Sequence, residues 1–387
     1  MPRCKFVGQD VPNVVNLTRE LVRINSVPSA DHGDAGKGEV VLANWLSEYL
    51  EDFDFMVNVF PVQDNRGNLM ARHQEFNADL PTIAFEAHLD TVNTDGMTID
   101  PFAAELRDGK VYGRGASDVK GTMAVMLSVM LHWYKIHAYN PAPFNLAFLA
   151  TMGEEGGTQG ARELVRRPIP FKMVLVGEPT SLQPVIGHNG TWRFNIITRG
   201  VSCHSSTPEL GSNAIDEMAR VIEYISRELK AEFETTPGNS MNMTLIQGGE
   251  AINIIPAKST LTLDCRYRPG TPVEDFKNRL VEFCSQSGKA EYDEILLYPP
   301  FKSYPHSLLL SLLDKALKAE GLPCEPQMAP WYSDAGPFSH AGYDTILWGV
   351  GDMKQAHTHD EFIETEQLET GFKVLMGFLE QCKLYFE

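Results

Sequence analysis

The chain has 387 residues, 51 acidic against 33 basic side chains and a net charge of −18, with 43% hydrophobic residues. That length exceeds the roughly 250–300 residues one core serves, so two domains are expected. The dispersed negative charge argues against nucleic-acid and membrane partners but suits a protein that keeps divalent cations. Six cysteines (Cys4, Cys203, Cys265, Cys284, Cys324, Cys382) form no CxxC pair and read as reduced thiols. The opening MPRCKFVGQDVPNVV has no apolar core of signal-peptide length and no stretch is apolar for long enough to span a bilayer, so a cytoplasmic location is expected.

Helical spacing marks residues 14–24 and 39–53, the second with Leu42, Trp45, Leu46, Tyr49, Leu50 and Phe53 on one stripe. Phe55, Val57 and Val59 alternate as a strand, residues 68–72 form another, and residues 82–92, TIAFEAHLDTV, run from an apolar strand into His88 and Asp90. Side chains two apart on a strand share a face, so the Asp90 carboxylate is expected to grip one imidazole nitrogen while the other faces outward, as in a metal-binding histidine. A hydrogen-bonded histidine at a strand end is the plainer alternative.

Residues 111–121, VYGRGASDVKG, fold glycines around Asp118 before an apolar helix over 122–137. Their spacing matches neither a P-loop nor a dinucleotide fingerprint, leaving Asp118 as a ligand or a helix cap. A buried strand within 143–152 ends in Gly153, Glu154, Glu155, Gly156 and Gly157. Two adjacent carboxylates there are costly unless a positive charge lies beside them; a solvated turn is the alternative. A helix over 159–166 and a strand over 173–177 complete a βαβ unit that ends at Glu178. Near the other end a strand over 345–349 is followed by His357 in QAHTHDEF. His88, Glu154, Glu155, Glu178 and His357 thus all follow predicted strands, at the sheet edge where open α/β folds bind ligands.

Between 185 and 299 the order is strand 191–198, helix 213–233, strands 241–247 and 259–267, helix 273–285 and strand 290–297. This β-α-β-β-α-β order is a split βαβ, or ferredoxin-like, module inserted into a larger α/β domain. Helices over 308–320, closed by Gly321, and 366–385 return to the first domain. The expected division is a catalytic domain over 1–184 and 300–387 and an inserted lid and dimerisation domain over 185–299.

Two histidines with four carboxylates are the donor set of a two-zinc hydrolase, in which one carboxylate can bridge ions about 3.5–4 Å apart. The stretches AHLDTV, GRGASDVKG, GEEGG, GEPTS, CHSSTPELGSNAI, GGEAINIIP and QAHTHDEF resemble, in order and through both domains, the motifs of the acetylornithine deacetylase, succinyl-diaminopimelate desuccinylase and aminoacylase family of metallo-amidohydrolases. The family usually has glycine where this chain has Ala87, which removes no ligand. The resemblance implies a zinc-exopeptidase-like α/β fold and two Zn2+, with Co2+ or Mn2+ as substitutes. His88, Asp118 and Glu178 would hold one ion, and Asp118, Glu155 and His357 the other. It also implies that Asp90 orients His88, that Glu154 is the general base for a water activated between the ions, and that His204 stabilises the oxyanion from the partner subunit of a homodimer.

Asn253 and Arg266 resemble contacts to a substrate carboxylate, which an arginine fork binds through both oxygens, and Ser333 and Gly336, in SDAGPF, resemble a substrate loop, a stretch that surface-loop polarity would explain equally well. GEPTSLQP, QAHTHDEF and HSSTPELGSNAI look more like acetylornithine deacetylase than the desuccinylase, which implies N2-acetyl-L-ornithine as substrate. A related N-acyl amino acid amidohydrolase (for succinyl-diaminopimelate, acetylcitrulline or general N-acyl amino acids) and a non-catalytic metal-binding protein are the alternatives. His32, His73, His132, His137, His306 and His340 match no motif and read as structural; His188 and His359, beside motifs, stay open.

Overall fold

Thr82–His88 and Asn145–Thr151 are buried at every position, as strands covered on both faces must be. In the computed structural model, which describes residues 10–28, 38–63, 65–73, 76–137, 142–167 and 169–387, they pair in parallel with His88 opposite Thr151. Cys4 and His32 lie outside the described residues. Phe171–Val176 pairs in parallel on the other side of Thr82–His88, and Asp344–Leu347 follows it in parallel. The order across the sheet is Phe55–Gln63, Arg66–His73, Asn145–Thr151, Thr82–His88, Phe171–Val176, Asp344–Leu347, Val185–His188. Pairing turns antiparallel only toward the two flanks. The result is the expected mixed α/β fold, its largely parallel central sheet flanked by helices.

The Gly121–Ile136 helix is buried from Gly121 through Leu131. It touches the sheet strands Thr82–His88 and Asn145–Thr151 and also the Val14–Arg23 and Thr365–Phe386 helices. A helix covered on all sides explains a sequence apolar all round, and truncating a residue such as Leu127 there would cost about 2–5 kcal/mol. Asn13 caps Val14–Arg23 by accepting from the Val15 amide, and Ser307 caps Leu308–Ala319 from the Leu310 amide. Gly321, at φ +73°, takes the left-handed turn that ends the latter.

The chain forms two units: one comprises Met1–Gly187, Lys302–Met328 and Ser333–Glu387, the other His188–Phe301 with Ala329–Tyr332. The second has an antiparallel sheet in the order Ser240–Gly248, Lys258–Tyr267, Gly190–Arg199, Ala290–Tyr298. Its helical segments are Ala214–Tyr224, Ile225–Lys230 and Ala231–Phe233, which run on as one stretch, and Val273–Ser287. Leu261, Leu263, Cys265 and Tyr267 alternate into its core with Trp192, Phe194 and Ile196, so Thr262, Asp264 and Arg266 fall on the open face. The five described cysteines are free thiols, and among the described residues no helix is long and apolar enough to cross a membrane.

Candidate metal centre

The strand Thr82–His88 delivers His88, almost fully buried, to the sheet's carboxyl edge. Its Nδ1 lies 2.9 Å from the backbone carbonyl of Asp90 and 3.5 Å from the Asp90 carboxylate. The Asp90 carboxylate thus stands at ion-pair distance from the imidazole, with the Asp90 carbonyl as the shorter contact. A carbonyl only accepts, so Nδ1 carries a proton, and Nε2 faces Asp118 Oδ1, 3.1 Å away. The Asp90 carboxylate also accepts from the Glu154 and Glu155 amides, both at 3.0 Å. The strand ends at His88, so the alternation of side chains no longer holds at Asp90.

Asp118 lies in the irregular stretch Ala116–Lys120, with φ −121° and ψ 89°; the Gly121–Ile136 helix that follows has Lys120 at its N-cap and no side-chain cap bond, so Asp118 does not cap it. Gly115 opens that stretch at φ +82°, where an added Cβ would meet the Thr91 methyl and the Lys120 side chain at 2.9–3.0 Å. Glu178 follows the strand Phe171–Val176 by two residues. His357 stands in a turn ten residues beyond Asp344–Leu347, half-exposed and at φ +63°. Its Nε2 is 3.0 Å from Glu155 Oε1 and 3.3 Å from Asp118 Oδ2. Two three-residue groups therefore form, His88–Asp118–Glu178 and Asp118–Glu155–His357, with donor atoms in each within 4.8 Å of one another and Asp118 common to both.

The electrostatics of these groups call for positive charge. Burial pushes Glu154 and Glu178 well above the usual carboxylate range, and the charges of Glu178 on the first and Asp118 on the second push further. Glu155 is raised by burial too. Burial would also raise Asp118, but hydrogen bonds from His357 and His88 hold it below its ordinary value. His88 rises because Asp118 and Asp90 outweigh its burial, and His357 reaches about 10 through Asp118 and Glu155. Without protonated histidines, imidazole lone pairs would face carboxylate oxygens. Imidazole and carboxylate donors converging this way fit divalent ions such as zinc. A cavity of about 580 Å³ opens beside Glu155 and His357, lined also by Asp90, Asn93, Asp95, Arg66 and His359.

A family model described as peptidase family M20/M25/M40 matches residues 84–381. The chain belongs to this family. It is 31% identical, over 95% of its length and 96% of the relative's, to an acetylornithine deacetylase from Proteus mirabilis. It also shares the fold of a tripeptidase from Staphylococcus aureus (TM-score 0.79, 21% identity, 97% of this chain and 100% of that one). An M20 metallo-carboxypeptidase from Sulfolobus solfataricus is similar as well (TM-score 0.76, 18% identity, 96% and 100% covered). The chain is thus a hydrolase of the M20 amidohydrolase and peptidase family.

The remaining residues expected at the site divide between the two units. Ser333 and Gly336 are buried rather than on a surface loop, at the start of the Ala335–His340 helix. The same segment buries Asp334, whose Oδ2 accepts from the Thr151 hydroxyl at 2.7 Å. Glu86 bonds that hydroxyl as well, and burial raises Asp334 to about 7. His204, Asn253 and Arg266 belong to the second unit. His204 is exposed; its Nδ1 takes the Ser206 hydroxyl (2.7 Å) and amide (3.2 Å), which leaves the proton on Nε2. Asn253 is its neighbour, the Asn253 carbonyl accepting from the Ser205 amide at 2.9 Å. Arg266 is already engaged, with Nε on Asp264 Oδ1 at 2.9 Å and Nη1 on Thr191 Oγ1 at 2.8 Å.

Of the histidines read as structural, His73 stacks on Tyr134 at 4.3 Å, and His132 and His137 bond carbonyls one turn back. His188 is buried with Nδ1 on its neighbour's carbonyl, and His359 lines the cavity. Sequence reasoning missed the polar groups that hold the loops. Glu39 accepts from the Gly153 amide at 2.6 Å and pairs with Arg66, so with Asp90 it ties down three successive amides of the Gly153–Glu155 turn. Glu361 and Arg114 do the same for the Asp118 loop. Arg114 stands in GRGASDVKG and Glu361 in QAHTHDEF, and those places inside recognised motifs were the available signal.

Proposed function

We propose that this chain is a zinc-dependent hydrolase that splits the amide of N2-acetyl-L-ornithine into acetate and L-ornithine, a step of arginine biosynthesis. The observation that carries the reading is the pair of donor groups sharing Asp118, with Glu154 buried beside them yet belonging to neither. The name of the Proteus mirabilis relative supports the substrate. In this reading His88, Asp118 and Glu178 hold one zinc ion and Asp118, Glu155 and His357 the second, with Asp118 as bridge. Two zinc ions, when bound, would lower the pKa of a water toward neutrality.

The chain's own residues do the rest. Glu154, held by its amide to Asp90, takes the proton of the attacking water and returns it to the departing amine nitrogen. The Asp90 carbonyl keeps the His88 Nε2 lone pair aimed at the ion site. On the motifs alone, His204 of the partner subunit of a homodimer donates from Nε2 to the developing oxyanion. Also on the motifs alone, Asn253 and Arg266 take the substrate's α-carboxylate, Ser333 and Gly336 shape the substrate loop, and the inserted unit serves as lid and dimerisation domain. A cytoplasmic location agrees with a biosynthetic role.

The test is the initial rate of amine release by the zinc-reconstituted protein on N2-acetyl-L-ornithine, N-succinyl-diaminopimelate and N-acetylmethionine, each with a chelated control. A chelator-sensitive preference for acetylornithine is expected. Preference for one of the others would keep the chemistry and change the substrate, and inactivity on all three would count against acyl-amino-acid hydrolysis.

A further inference from the structure

The loop that carries Asp118 and the turn that carries His357 are held by one buried carboxylate. Glu361 is fully buried and accepts four hydrogen bonds. Its Oε2 takes Arg114 Nη1 at 2.6 Å and the Gly115 amide at 3.0 Å. Its Oε1 takes the Ser117 amide at 2.9 Å and the Asp118 amide at 3.0 Å. Arg114, itself buried, spends its other nitrogens on carbonyls: Nε on Asn93 at 3.1 Å and Nη2 on Thr358 at 3.3 Å. The Glu361 carbonyl also accepts from the Gly113 amide at 2.9 Å.

From this geometry we infer that Glu361 is a positioning residue for both ion sites: it fixes the backbone of Asp118 directly and, through Arg114, ties it to the turn carrying His357. The inference rests on the two-metal reading above. Only a carboxylate answers this set of donors. Both of its oxygens accept twice, whereas glutamine would turn an amide nitrogen toward either Arg114 or the Ser117 and Asp118 amides, leaving buried donors opposed. Asp118 belongs to both groups and His357 to one, so the two members of the clamp differ in reach. Loss of Glu361 releases the shared ligand, while a shorter cation at 114 frees chiefly the turn at 357–358.

The test is titration of the metal-free full-length protein with Co2+, read by equivalents bound and by the visible absorption of the bound ion, beside thermal unfolding of each metal-free variant. The wild type is expected to take two equivalents. Glu361→Gln should bind both about 10–100-fold more weakly, with altered absorption at saturation. Arg114→Lys should weaken one equivalent and spare the other. A folded Glu361→Gln with wild-type affinities and absorption overturns the inference while leaving the metal site standing. Should Glu361→Gln fail to fold, Arg114→Lys decides: two unchanged equivalents overturn the clamp, one weakened equivalent supports it. A wild type that takes no Co2+ overturns both the two-metal reading and this inference, so the two failures are told apart.

Discussion

The two units treat charge in opposite ways. In the first, Glu86, Asp90, Asp118, Glu154, Glu178, Asp334 and Glu361 are all buried, crowded around the carboxyl edge of the parallel strands. In the second, ion pairs such as Arg199–Glu291 and Arg279–Glu232 stand at the surface, and Arg193, Asp264 and Arg266 occupy an open sheet face. Buried carboxylates are expensive unless they accept several hydrogen bonds or face a cation, whereas exposed pairs cost and contribute little. The first unit's acids fall into both justified classes. Asp90, Glu361 and Glu39 accept backbone amides, while Asp118, Glu154, Glu155 and Glu178 crowd one another and two histidines. Such crowding is what a bound cation relieves.

The sharpest division within the first unit separates Glu154 from the two donor groups. Glu154→Gln keeps the size of the side chain and removes only its ability to take a proton, so turnover should fall about 10²–10⁴-fold with metal content unchanged. Parallel metal analysis and kcat measurement check this; a near-normal rate would remove Glu154 from proton transfer. His357→Ala should lose most of one metal equivalent and leave the other, because His357 belongs to one group only. Undiminished metal content would assign that histidine to something other than ligation.

Metal removal and pH sharpen the same contrast. In the metal-free protein the folded-state pKa of His357 is raised to about 10, so the stability from its pairs with Asp118 and Glu155 is complete below its ordinary value and lost as pH rises through about 10. The buried acids Glu154 and Glu178 are raised as well, so their ionisation in the fold also subtracts stability as pH rises above the ordinary carboxylate range. Bound ions need the deprotonated forms and reverse that trend. The gain in Tm on adding Zn2+ should therefore grow from pH 6 to pH 9. A gain that shrinks over that range would place the ions elsewhere.

What the sequence shows of this site follows from how each residue acts. His88, Asp118, Glu154, Glu155, Glu178 and His357 act through their own side chains, next to strand ends and glycines that leave a local trace, and they meet in space. Glu361 and Asp90 act on backbone amides of other loops, a role with no residue-type signature in the partner. Asp334 read as loop polarity because its partner hydroxyl on Thr151 is 183 residues away. Arg266 read as a free fork, since nothing in the motif announces the neighbouring grip of Asp264. The fold was legible for the same local reasons: the continuous apolar runs of the central strands and the alternation at Lys258–Tyr267 follow directly from being covered on two faces or one.

The smallest effect on stability is expected at the outer edge of the second unit's sheet. Ser240–Gly248 is an edge strand, irregular between Met243 and Leu245, with Leu245 and Ile246 63% and 60% exposed. An uncovered apolar edge is a site for pairing with another chain, so if the proposed homodimer forms through the inserted unit, this edge is where the copy would add. Ile246→Asp puts a charge there without touching the core side of the strand, so the fold should lose no more than about 0.5 kcal/mol. Light scattering at micromolar concentration should nevertheless show a shift from dimer to monomer, since a buried unpaired carboxylate opposes association far more than an exposed one opposes folding. A dimer that survives Ile246→Asp would move the interface off this strand, and the second unit's edge would then need another explanation for its exposed isoleucine and leucine.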